Sequence, residues 1–431
     1  MATPLDLSPP ALPKDGIGSL AYDLIGSEIL KIAGQVRAIK ESGAPVSDFT
    51  VGDFSPAQFR SPEPLEAAIV RALQAGETNY PPSDGVPALR KAVVAFYQRH
   101  LGLDYPLEGV AIASGARPVL WASYRTVLED GDRVIYPVPS WNNNHYIHLC
   151  RAQGVAIPTL PENGFLPTAA QIAPHLAGAS LIALNSPLNP AGTGFSADEV
   201  RAIATLVVDE NRRREARGER PVFLLYDHIY WTLAADSAPH FTPPGLVPEV
   251  AKYTLFVDGI SKGFAATGLR VGWVVGPPYI VKRMRDLLGH VGAWAPRAEQ
   301  IATAEVLADP DAGLALVEPI KNGLIARLER LHAGLEELRR AGAPVRALPP
   351  AGALYLSVQF DLLERFGTDD QLRRFLLEEA GLAAVPFRAF GLEHDSGWLR
   401  LSVGAVGLTE IDAAIGRLRP ALERLTAAVG S

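Results

Sequence analysis

Lys262 lies just past an apolar run, residues 253–257, that reads as a buried strand. Gly259, Gly263 and Gly268 surround it and are expected to let the backbone turn sharply there. The amine should then point into a protected crevice. Arg270 follows eight residues later and opens a second apolar run, 271–275. Desolvation and a neighbouring fixed cation favour a neutral, nucleophilic amine, the form that condenses with a carbonyl. The guanidinium suits a phosphate or carboxylate. A surface lysine and arginine flanking two strands would give the same spacing. Asp227 ends another apolar run, 223–226, with Tyr230 three residues on. A carboxylate at a buried strand end is unfavourable unless it meets a cation.

The elements that would hold these groups follow a regular alternation. Apolar runs at 110–112, 134–136, 155–157, 181–184, 223–226, 255–257 and 271–275 are separated by helical or loop segments. That pattern predicts an α/β fold with a mostly parallel sheet covered by helices on both faces. Ligands bind at the carboxyl ends of such strands, and the polar residues gather there. Helices are expected over 27–42, 64–76, 87–101, 321–341 and 410–429, and short strands over 49–53, 353–358 and 398–403. After the 110–112 run, Ser114, Gly115, Ala116 and Arg117 precede Pro118, a turn opening a helix whose free N–H groups could cradle a phosphate.

At 431 residues the chain exceeds one ordinary core. The expected division is an N-terminal arm and part of a small domain over 1–60, a large domain over 61–300 and a small C-terminal domain over 301–431. Hydrophobic residues make up 48% and charged residues 20%, which argues against disorder. The net charge of -7 offers no attraction to nucleic acid or an anionic membrane. Cys150 is the only cysteine, so no internal disulfide or cysteine metal cluster can form, as expected of a cytoplasmic protein. The proline-rich first 18 residues lack the apolar core of a secretion signal, and no apolar run is long enough to span a membrane. The dense charges of 209–220 mix acids with bases and read as a solvated surface.

The stretch Ser261-Lys262-Gly263-Phe264-Ala265-Ala266-Thr267-Gly268-Leu269-Arg270-Val271-Gly272-Trp273 resembles the lysine region of pyridoxal-phosphate-dependent aminotransferases of fold type I, class I/II. Asp258-Gly259 is similar to the Asn-Gly of the prokaryotic aspartate aminotransferase subgroup. Other members carry a phosphate-contacting serine at the Gly259 position, so that contact is absent. Asn185-Ser186-Pro187-Leu188-Asn189-Pro190 resembles the family's Asn-Pro-x-Asn-Pro box. Asp227-His228-Ile229-Tyr230 resembles its Asp-Glu-x-Tyr, with His228 in place of the glutamate. Arg400-Leu401-Ser402 matches its Arg-Leu-Ser motif, and Tyr80 to Gly85 its Tyr-x-x-x-x-Gly segment.

The resemblance implies a seven-stranded, mostly parallel sheet, a small α/β domain built from both chain ends, and pyridoxal 5'-phosphate as cofactor. Lys262 would anchor the cofactor and shuttle the proton, Asp227 would hold its ring nitrogen, and Asn189 and Tyr230 its phenolic oxygen. Trp141 would stack on the ring unless it is a core tryptophan. Ser114, Gly115, Ala116, Ser261, Arg270 and Tyr80 of a second copy in a homodimer would hold the phosphate. Arg400 and Gly52 would fix the substrate α-carboxylate, although Asp53-Phe54-Ser55-Pro56 departs from the usual sequence after that glycine. Arg117 stands where similar enzymes place a lysine that reaches a distal carboxylate. An amino acid and a 2-oxo acid are the implied partners, aspartate or glutamate with 2-oxoglutarate or oxaloacetate. Rival readings are an aromatic, prephenate or alanine aminotransferase, a C–S lyase, or a cofactor-binding protein without turnover. Asn142 to Asn144 are expected only to satisfy their own loop.

Overall fold

A computed structural model describes residue 5, residues 7–9, 12–24, 26, 28–41 and 43–427. Seven strands form one sheet, in the order Val110–Ala113, Gly272–Val275, Thr254–Gly259, Phe223–Asp227, Ala179–Asn185, Arg133–Val138, Gln153–Pro158. Each coincides with one of the seven apolar runs. The Gly272–Val275 strand is antiparallel to both neighbours, and the other pairs are parallel. Because helices cover both faces, the central strands are buried almost throughout and lack polar alternation.

Four antiparallel strands form a second sheet, ordered Val385–Pro386, Trp398–Ser402, Tyr355–Phe360, Val345–Ala347. The helix Glu318–Arg340 places Leu324, Leu328, Leu331, Leu335 and Leu338 on one buried stripe. It lies against the closing helix Leu408–Ala427, packing Gly334 on Ile415. Ala428 and Val429, the expected end of that closing helix, lie outside the described residues. The expected helix over 27–42 is Glu28–Glu41, with Ile32 and Val36 buried; Ser27 and Ser42 lie outside the described residues. No helix among the described residues is long and apolar enough to cross a membrane.

Two local expectations need correction. Residues 49–53 form no strand; the pairing is Ser47–Asp48 with Leu382–Ala383. Beyond it the chain leaves the ladder, because the Phe49 and Thr50 carbonyls accept instead from Ser402 N–H and Arg400 Nη2. The backbone does turn sharply around Lys262, with Gly268 inside a turn, although the left-handed positions there are Ala265 and Arg270, at φ 46° and 55°, rather than the glycines. Gly259 serves close packing, since a Cβ there would lie 2.6 Å from the Val271 carbonyl. Finally, the charged 209–220 stretch is not wholly solvated. Glu210 and Arg214 form a buried pair at 2.7 Å, and Arg214 Nη2 donates to the Leu176 carbonyl.

Candidate active site

A cleft of about 420 Å³ opens at the carboxyl ends of the parallel strands. Its wall includes Gly52, Ala116, Arg117, Trp141, Asn189, Asp227, Tyr230, Ser261, Lys262, Arg270 and Arg400. Residues from both ends of the chain and from several strand ends thus meet in one space. Of the remaining expected site residues, Ser114 and Gly115 lie just behind the wall. Tyr80 stands away from it, exposed, with its ring edge on Trp294 at 5.1 Å.

Lys262 lies on the short helix Ile260–Gly263, directly after the buried strand Thr254–Gly259. Its Nζ donates to the Gly52 carbonyl at 2.7 Å and sits over the Tyr230 and Phe54 rings at 5.7 and 5.9 Å. The unusual φ of Arg270 turns its guanidinium back across the turn. There Nη1 donates to Thr267 O at 2.6 Å and Nη2 to Ser114 O at 3.1 Å. A Cβ on Gly115 would collide with this guanidinium, so glycine is what admits it.

The turn before the helix Ala116–Val127 differs in detail from the expected cradle. Ser114 N–H is taken by the Ala293 carbonyl and Gly115 N–H by the Ala113 carbonyl. The donors left at the helix start are Ala116 and Arg117, because first-turn amides have no helical acceptor.

Asp227 ends its strand on the cleft floor and keeps part of its surface open. Burial pushes its carboxyl up to about 7, against the Ile229 amide and the Lys262 charge, which both lower it. Asn185 ties this end down: its Nδ2 donates to the Asp227 carbonyl and its Oδ1 accepts from Asn189 N–H. Tyr230 Oη lies 2.8 Å from Tyr355 Oη, and burial raises the Tyr230 phenol first, with Tyr355 adding to it.

Arg400 is 1% exposed, which rules out a surface strand position. Its Nη1 donates to Asn189 Oδ1 at 3.1 Å and its Nη2 to Thr50 O at 2.7 Å. The plane stacks on Tyr355 and Phe390, at 4.6 and 4.9 Å. Burial lowers its proton affinity, and Nε has no partner. Arg117 is exposed at the mouth and lies 5.2 Å from the centre of the Trp141 ring. Asn143 bonds Tyr124 and Ser140, the local role expected for that run.

Tyr355, Asn185 and Thr50 were not anticipated. Asn185 stands inside the quoted box and was legible there. Tyr355 carries no spacing signal, and Thr50 acts through a carbonyl that every residue has.

A second carboxylate, Asp258, lies one strand away from Asp227 and is also raised to about 7, chiefly by burial. Unfolded, both groups release protons near 3.8. The folded chain therefore holds protons that the unfolded chain has lost. Their stabilising contribution is complete below about pH 4 and disappears as the pH rises through about 7. Cofactor-free protein should melt several degrees lower at about pH 8 than at about pH 5.5. Asp227→Asn or Asp258→Asn should flatten the dependence. Water in the cleft screens Asp227, so Asp258 should contribute more of the effect. Parallel melting curves for parent and variants would refute this.

The sequence matches the family model for aminotransferase class I and II over residues 44–418. It is 31% identical over 410 residues to an aspartate aminotransferase of Rhizobium meliloti (strain 1021), covering 93% of this chain and 94% of that one. It is 30% identical over 415 residues to a probable aspartate/prephenate aminotransferase of Thermus aquaticus, covering 95% and 100%. The structure resembles that of the Rhizobium meliloti aspartate aminotransferase with a TM-score of 0.85 at 30% identity, covering 95% and 99%. For Thermus thermophilus aspartate aminotransferase with maleate the TM-score is 0.84 at 27% identity, covering 94% and 100%.

Proposed function

Because the chain belongs to the class I and II aminotransferases, we propose that it moves the amino group of aspartate or glutamate to a 2-oxo acid, 2-oxoglutarate or oxaloacetate, using pyridoxal 5'-phosphate. The observation that carries this reading is the convergence of Lys262, Asp227 and Arg400 on one cleft.

The cleft's chemistry fits that cofactor. The Arg270 guanidinium, the Ser261 side chain and the amides of Ala116 and Arg117 make an anion site beside Ser114 and Gly115. The Asp227 carboxylate suits a protonated ring nitrogen, and Trp141 offers a face for the ring. Asn189 and Tyr230, in the same wall, would hold the phenolic oxygen. The partner subunit's Tyr80 would complete the phosphate site in a homodimer. The large domain, 61–300, would supply these groups, with 1–60 and 301–431 closing the substrate side.

When bound, the cofactor carries the amino group and takes up the electrons released as the Cα–H bond breaks. Lys262 would provide the anchoring amine and would move the Cα proton as base and then as acid. Its Nζ stands ready because the Gly52 carbonyl holds it in the cleft. Asp227 would keep the ring nitrogen protonated. Arg400, whose Nη1 and Nη2 lie beside Gly52 in the cleft wall, would receive the α-carboxylate and orient the Cα–H bond. Incubating holoenzyme with glutamate tests the scheme: 2-oxoglutarate should appear in one equivalent before any acceptor is added. No keto-acid release would end this reading.

The choice of dicarboxylates rests on charge. Lys262, Arg270, Arg400 and Arg117 line the cleft. Arg117 alone then lacks an assigned anion, and among the described residues no carboxylate pairs with it. A related structure holds maleate, a dicarboxylate. Arg117→Ala should lower kcat/KM for aspartate and glutamate by about 10–100-fold, the worth of one charged hydrogen bond, while leaving alanine nearly unchanged. Equal losses for alanine and aspartate would refute it. A prephenate-type acceptor is the second reading, favoured by the apolar Leu120, Ile229 and Trp141 in the same wall. A keto-acid acceptor screen separates the two.

A further inference from the structure

Beneath the cleft floor runs a chain of buried polar side chains that the scheme above does not use. His228 Nε2 lies 2.7 Å from Tyr97 Oη, and its Nδ1 lies 3.3 Å from His240 Nε2. Tyr97 Oη donates to Asp258 Oδ2 at 3.2 Å and accepts from Trp273 Nε1 at 3.3 Å. Asp258 also accepts from Trp231 Nε1 at 2.9 Å and, through Oδ1, from Gly259 N–H at 2.7 Å. Tyr97 and His228 are completely buried and Asp258 nearly so. Buried polar groups of this kind persist only when paired.

Two departures from the family's motif pattern meet here. His228, just past one strand, stands in place of a glutamate and Asp258, on the adjacent strand, in place of an asparagine, with their side chains 3.9 Å apart. One carboxylate has moved from one strand end to the next, and the buried layer still holds a single acid. The chain also spans the two strand ends that matter. His228 directly follows Asp227, and Asp258 fixes the amide of Gly259, three residues before Lys262.

Resting on the functional reading above, we propose that Asp258, Tyr97 and His228 are positioning residues, a hydrogen-bonded tie that sets the distance between Asp227 and Lys262 and so between the ring nitrogen and the proton-carrying amine. Its direction depends on the Asp258 proton. With Asp258 ionised, donation runs from His240 through His228 and Tyr97 to the carboxylate. With Asp258 protonated, every bond in that line reverses. The titratable groups around Asp258 are Tyr97 and Tyr105, His228 with His240 behind it, and Asp227. His228 itself is held neutral by burial and by His240.

The test uses holoenzyme carrying Asp258→Asn, His228→Glu, both together, or Tyr97→Phe. Each single change should lower kcat about 10-fold, with KM moving less than about 3-fold, the scale of coupled neighbours. Each should also move the pH midpoint of the bound cofactor's absorption change by about half a unit or more. The double exchange, which recreates the glutamate–asparagine pair, should recover to within about 3-fold of the parent. Should the single variants precipitate, Tyr97→Phe, which removes one hydroxyl at constant shape, carries the same test. Unchanged kcat and midpoint in Tyr97→Phe, or additive losses in the double exchange, would overturn the tie while leaving the aminotransferase reading intact. A parent without half-reaction would overturn both.

Discussion

Replacing Lys262 with alanine should reduce transamination by at least about 10³-fold, within the range that positioned proton transfer contributes. Three features make this the largest single effect. Among the described residues, Lys262 is the one lysine lining the cleft, and a backbone carbonyl holds its amine at 2.7 Å, from Gly52 O. Arg270 and Arg400 cannot replace it as bases, because a guanidinium stays protonated. The remaining anion site and Asp227 do not depend on it, so Lys262→Ala should still take up cofactor. Binding and turnover should therefore separate. Dialysis with cofactor, followed by absorbance and a keto-acid assay, measures both. A variant retaining a tenth of parental activity would remove the central role of this residue.

The second large effect is expected at Arg400. Removing one member of a buried, hydrogen-bonded charge contact costs about 2–5 kcal/mol, so Arg400→Ala should lower kcat/KM by about 30- to 4,000-fold. The loss should be the same for aspartate, glutamate and alanine, since each presents the same α-carboxylate. That uniformity distinguishes it from Arg117→Ala, whose loss follows the side chain. Arg400→Lys should recover little, because the contacts to Asn189, Thr50 and the Tyr355 face need a planar fork rather than a point charge. Initial rates with three donors decide the matter. A loss confined to the acidic donors would transfer the distal-carboxylate role to Arg400 and undo both assignments.

Much of this arrangement could be read from local signals, and the failures have a common cause. Buried parallel strands must be apolar along their length, so 181–184 and 255–257 stood out, although the strands extend a residue or two beyond each run. Lys262, Asp227 and Asn189 stood out because each follows such a run inside a dense motif. Contacts made by backbone were invisible. Nothing in the identity of Thr50 or Gly52 announces that its carbonyl receives Arg400 or Lys262. The expected strand over 49–53 failed for the same reason, since the Thr50 and Gly52 carbonyls serve distant side chains instead of a ladder. The sharp turn around Lys262 was legible from its glycines, but not that Ala265 and Arg270 would take the left-handed backbone within it. Glu210 and Arg214 showed that an i, i+4 charge pair is buried or solvated according to what packs on it, here the Leu176 carbonyl.

The bond from Arg400 to Thr50 joins residues 350 positions apart. On a ribosome adding roughly 5–20 residues per second, the carbonyl end of that contact waits for tens of seconds before its guanidinium emerges. For the later part of that interval, after the Gly272–Val275 strand emerges, the nascent chain holds a finished large sheet with an open, charged crevice and no means of gripping an amino acid. Competence would arrive abruptly once the Trp398–Ser402 strand emerges, so products ending before it should bind the vitamin-derived aldehyde yet turn over nothing.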